Sequence, residues 1–89
     1  MEEINKLRQK INEIDSRIIE LLRERFDIVK EIGIHKKKNG IAIKDAAREK
    51  EVMDKIVEKT KQQGMRDIQE VKEIYNSIIS VSRNIQEKD

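Results

Sequence analysis

Several polar side chains stand where the helical periodicity of this sequence asks for aliphatic ones. Ile4, Leu7, Ile11, Ile14, Ile18 and Leu21 recur at spacings of three and four, an apolar seam along one face of a helix. The same rule puts the next inward position at Arg25, followed by Ile28 and Ile32. A guanidinium therefore interrupts the stripe. Lys36 lies three helical turns beyond Arg25, about 16 Å along the axis, on the face that also carries Val29 and Ile32. Further along the chain, Glu49 stands one turn before Val52 and Met53, with Asp45 and Arg48 in the same turn. Near the C-terminus Ser82 falls between Ile78 and Ile85, and Gln86 follows one turn later.

Taken alone, each residue has a plainer reading. Arg25 can extend to solvent, Glu49 can pair with Arg48 or a lysine, and Ser82 can bond its own helix backbone. Taken together, they offer cations, one carboxylate and neutral hydrogen-bonding groups, a set suited to a small polyanion that bears hydroxyl groups. Arg8 precedes Arg25 by about 25 Å of helix, too far for both to hold one small molecule from a single chain. If both serve, two chains share each site.

The elements that must position these groups follow from the punctuation. Asn39-Gly40 and Gln62-Gln63-Gly64 divide the chain into three segments, each break placing Gly where a helix end adopts a left-handed residue. The expected architecture is all-α: one domain over 1–89, with a long first helix at about 3–38 and two shorter helices at 45–63 and 67–87. Asp45 is expected to cap the second helix, whose inner face carries Val52, Met53, Ile56 and Val57. The third opens on Asp67-Ile68-Gln69-Glu70, a capping-box arrangement, and continues through Val71, Tyr75, Ile78 and Ile85. A first helix about 50 Å long exceeds the width of a domain of this size, so much of it must pack on another chain. Gly33 inside that helix costs about 1 kcal/mol relative to Ala, which either marks a close approach by a neighbour or ligand or is simply tolerated.

Composition narrows the function classes. Charged residues form 43% of the chain and aromatics 2%, with no proline, which favours surface-rich helices over a sheet. The net charge of +2 is far from the cationic excess of nucleic-acid binders, and aromatic rings for base stacking are scarce. With no cysteine and the single His35, neither a thiolate nor a histidine cluster is available, so metal and cofactor chemistry are not expected. No apolar run is long enough to cross a bilayer and the N-terminus lacks a signal-like stretch, so the expected location is cytoplasmic.

These residues, in this order and spacing, resemble the all-helical chorismate mutases. The stretches that carry the resemblance are Leu7-Arg8-Gln9-Lys10-Ile11, Leu22-Arg23-Glu24-Arg25, Gly33 to Lys36, Asp45-Ala46-Ala47-Arg48-Glu49 and Ser82-Arg83-Asn84-Ile85-Gln86. The resemblance implies an intertwined helical homodimer that rearranges chorismate to prephenate, a step of aromatic amino acid biosynthesis from the shikimate pathway. It implies that Arg25 and the partner subunit's Arg8 clamp the two substrate carboxylates, with Arg48 and Ser82 beside them. By the same resemblance Glu49 and the backbone at Asp45 hold the ring hydroxyl, while Lys36 and Gln86 donate to the ether oxygen. Two rivals stand beside this reading. One is an isochorismate pyruvate lyase on the same scaffold, from which Glu49, placed for a hydroxyl, tilts the balance. The other is a non-catalytic helical dimerisation or regulatory module whose polar residues merely set register.

Overall fold

Two glycines end two helices by the same device. Gly40 and Gly64 have φ of 65° and 72°. After each, backbone amides turn back on the last helical turn: Gly40 N donates to Lys37 O and Ile41 N to Lys36 O, and likewise Gly64 N to Lys61 O and Met65 N to Thr60 O. Both are Schellman closures, which need a left-handed residue and therefore favour Gly. Between these stops the computed structural model, which describes residues 1–88, has three helices: α1 (Glu2–Lys38), α2 (Ala46–Gln62) and α3 (Ile68–Glu87). No strand occurs among the described residues, so the chain is all-α.

The helix starts are less alike than the sequence suggests. Asp45 is the N-cap of α2, and its carboxylate accepts from Arg48 N at 3.0 Å. Asp67 is the N-cap of α3, but its side chain makes no cap bond, so the expected capping box does not form. Its backbone, at φ −80° and ψ 46°, lies outside the extended region that turns a cap side chain onto the helix amides.

The packing order is α1 on α3 on α2. Only the C-terminal half of α1 takes part. Val29 and Gly33 are its buried positions, and Ile79, Ser82 and Gln86 are those of α3. The inward line of α1 therefore runs Arg25, Val29, Gly33, Lys36, one position away from the expected Ile28 and Ile32, which are 58% and 43% exposed. Likewise Ile79, not Ile78 or Ile85, is the buried aliphatic residue of α3. The reason is the glycine. A Cβ built on Gly33 would stand 2.9 Å from Gln86 Cα and 3.1 Å from Gln86 Cβ, so the two helices cross with their backbones nearly touching and the residues flanking Gly33 face α3.

The N-terminal half of α1 has no neighbour within the chain. From Ile4 to Leu21 its apolar seam is 40–63% exposed. The molecule measures 56 × 27 × 16 Å, with a radius of gyration of 16.3 Å, where a compact chain of this length has about 12 Å. Val29 and Ile79 are the only buried apolar residues among those described. No described helix is long and apolar enough to cross a membrane.

Two outcomes test this account of ends and crossings. Gly33→Ala, which in an ordinary helix interior gains about 1 kcal/mol, should here lose about 1–3 kcal/mol because the crossing is already in contact; urea unfolding reads the sign. Asp45→Ala should cost about 1 kcal/mol, and Asp67→Ala clearly less, in the same measurement.

Candidate functional site

The crossing at Gly33 determines what α1 presents to α3. Arg25, two turns before the glycine, reaches Ser82, and its Nη1 donates to Ser82 Oγ at 2.6 Å. Ser82 in turn donates to Ile78 O at 2.7 Å, so its hydroxyl links the guanidinium to the α3 backbone. Lys36, one turn after the glycine, folds toward the α1–α2 loop, where Nζ donates to Ile43 O at 2.8 Å. Glu49 enters from the first turn of α2, whose start is fixed by the Asp45 cap.

These side chains surround one cavity of about 150 Å³ at the junction of the three helices. Arg25, Lys36, Asp45, Arg48, Glu49, Ser82 and Gln86 all line it, with an aliphatic wall of Val29, Ile32, Ile43, Val52 and Ile79. Seven of the eight residues picked out from the sequence thus converge on one space. Arg8 does not. It lies in the exposed N-terminal half of α1, about 25 Å of helix from Arg25.

Two of the seven are committed elsewhere in this protomer. Arg48 is exposed and its Nη1 contacts Glu51 Oε1 at 2.6 Å, so its charge sits at the rim. The Asp45 carboxylate is spent on its cap. Glu49 pairs neither with Arg48 nor with a lysine, the partners its plainer reading offers; it faces Arg83, with Arg83 Nε 2.9 Å from Glu49 Oε2. Arg83 also lines the cavity, and the sequence reading assigns it no role. Its only sequence signal is its place between Ser82 and Gln86, and an arginine beside a seam residue ordinarily belongs to a solvated face.

The electrostatics favour an anion. Arg25, Lys36 and Arg83 line the cavity with one carboxylate that is not spent on a helix cap, that of Glu49 beside Arg83. Two buried side-chain atoms among the described residues lack a hydrogen-bond partner, Gln86 Oε1 and Arg83 Nε, and both belong to this lining. The Arg83–Glu49 approach is close enough for an ion pair, yet the N–H is not aligned on the carboxylate. A buried polar atom left unpaired is costly, and both of these belong to residues around the cavity, Arg83 Nε lying beside the Glu49 carboxylate.

The comparisons with known proteins agree with this geometry. The chorismate mutase type II family matches residues 7–87. The chain is 36% identical over 90 residues to the bifunctional chorismate mutase/prephenate dehydratase of Aquifex aeolicus, an alignment that covers 99% of this chain and 25% of that protein. It is 39% identical over 56 residues to the chorismate mutase of Methanocaldococcus jannaschii, covering 63% of this chain and 57% of that one. A third relative, the bifunctional chorismate mutase/prephenate dehydratase of Buchnera aphidicola, is 42% identical over 50 residues. The chain thus spans a quarter to somewhat over half of the first two relatives' length. No solved structure matches it significantly. Matched over nearly its whole length, and with its polar seam residues gathered into one cationic cavity, the chain belongs to the chorismate mutase type II family.

Proposed function

We propose that this chain is a chorismate mutase, converting chorismate to prephenate in two shared sites of an intertwined homodimer. The observation that carries the reading is the single cavity into which Arg25, Lys36, Glu49, Ser82 and Gln86 project from three helices. Chorismate is a dianion with a ring hydroxyl and an ether oxygen, and each of these features has a counterpart among those side chains.

The reaction is a unimolecular rearrangement in which the ether C–O bond breaks as a C–C bond forms. It needs no nucleophile. The protein's tasks are to hold the enolpyruvyl arm over the ring and to stabilise negative charge that grows on the ether oxygen. Arg25 and the partner subunit's Arg8 take the two carboxylates, since a guanidinium fork matches a carboxylate bidentately. Ser82 already orients Arg25, and Arg48 at the rim adds charge near the entrance. Glu49 accepts from the ring hydroxyl, with the backbone at Asp45 beside it. Lys36 and Gln86 donate to the ether oxygen, with Gln86 presenting its amide N–H₂ to the substrate. Arg25 is already held by Ser82 before the substrate arrives, whereas Lys36 exchanges its contact with Ile43 O for the ether oxygen.

The dimer is supported by two features of the protomer: the exposed apolar seam of α1 and the extended shape of the molecule. Covering the seam with the partner's α1 buries the aliphatic surface that the isolated protomer leaves wet, and carries Arg8 to the partner's cavity. The whole chain, 1–89, then acts as one catalytic domain.

Purified protein should deplete the ultraviolet absorbance of chorismate and yield prephenate; isochorismate converted in its place would sink the assignment. Lys36→Ala should raise the barrier by on the order of 3 kcal/mol, by analogy with loss of one oxyanion donor, and near-normal turnover would remove Lys36 from the reaction. Arg8→Ala and Arg25→Ala, each inactive alone, should regain activity when mixed and allowed to exchange subunits, because one site of each mixed dimer carries neither lesion. Continued inactivity despite demonstrated exchange would refute the shared site.

A further inference from the structure

The Glu49–Arg83 contact joins α2 to α3 across one wall of the cavity. Glu49 belongs to the first turn of α2, and Arg83 follows Ser82 on α3, three residues before Gln86. Both side chains are partly buried, at 25% and 34% exposure, which sets the pair apart from the exposed ion pairs along the helix surfaces, such as Lys6–Glu2 and Lys50–Asp54. The same two residues also border an outer groove between α2 and α3 that includes Lys50, Asp54 and Asn76. Glu49 and Arg83 are thus the partition between the site and the surface.

A carboxylate in this place presents a difficulty. Any dianion entering the cavity is repelled by Glu49 unless its charge is offset, and a glutamate with three free torsions seldom holds one orientation unaided. Arg83 answers both needs. Its Nε stands 2.9 Å from Glu49 Oε2, within ion-pair range though the N–H is not aligned on the carboxylate, and among the described residues no group donates to Glu49 Oε1, which is left for a ligand hydroxyl. We propose that Arg83 is a positioning residue for substrate binding: it neutralises Glu49 and fixes its carboxylate so that the free oxygen accepts from the substrate's ring hydroxyl. The proposal rests on the mutase reading above. It concerns affinity rather than the bond-breaking step, because the hydroxyl's own C–O bond is untouched by the rearrangement, and a contact equally strong in ground and transition states appears in KM and not in kcat.

The test is a kinetic double-mutant cycle with chorismate on the purified full chain: wild type, Arg83→Gln, Glu49→Gln and the double variant, with Arg83→Lys as the conservative change. Arg83→Gln should raise KM by about tenfold while kcat changes less than about threefold. In the Glu49→Gln background the same substitution should alter KM less than about twofold, and Arg83→Lys should recover most of the lost affinity. Thermal unfolding of each variant separates these effects from loss of fold. An equal rise of KM in both backgrounds would overturn the proposal by showing that Arg83 meets the substrate directly. A fall in kcat at unchanged KM would overturn it as well. Wild-type protein without turnover would strike down the mutase reading and this inference together, whereas an active wild type with an additive cycle strikes down the inference alone.

Discussion

The close crossing of α1 and α3 at Gly33 is the constraint on which the site depends. With no side chain at that position, Gln86 Cα comes within reach of the α1 backbone, and the residues one and two turns to either side are carried onto α3. Arg25 thereby meets Ser82, while Lys36 and Gln86 come to border the same cavity. A larger residue would push α1 away from α3 and lengthen the distances between the groups that the two helices bring together. Gly33 gives up about 1 kcal/mol of helix propensity for that close approach.

A second constraint is that the chain makes almost no core of its own. Its buried aliphatic residues sit at the crossing, and the rest of the apolar seam faces outward. Polar residues occupy buried positions that would ordinarily be aliphatic: Thr60, Ser82 and Gln86 are all at or below 9% exposure. Thr60 and Ser82 satisfy their hydroxyls on their own helices, at Ile56 O and Ile78 O. Gln86 Oε1 does not. The contrast separates polar residues that satisfy themselves on their own helix from one that does not.

Much of this was legible in the sequence, and the parts that were not have identifiable reasons. Helix ends were readable because Gly40, Gly64 and Asp45 act through local backbone geometry. Arg25, Lys36, Glu49, Ser82 and Gln86 were readable as interruptions of apolar periodicity. The register of α1 beyond Leu21 was not, since spacings of three and four admit both an Ile28–Ile32 line and a Val29–Gly33 line, and only the contact with Gln86 selects between them. Asp67 carries the right residues for a capping box without the backbone angles to close it. Arg83 escaped because its partner lies on another helix, and nothing in the local pattern distinguishes it from a solvated arginine.

The tether between Lys36 Nζ and Ile43 O has a consequence for how an anion enters. An ammonium surrounded by water must shed its hydration before it can grip a ligand, whereas one already docked on a neutral carbonyl has surrendered part of that shell during folding. Exchanging the carbonyl for an anionic oxygen would replace a neutral acceptor with a charged one and add the attraction of two full opposite charges. The lysine thus has a defined resting place on the α1–α2 loop, beside the cavity that it lines.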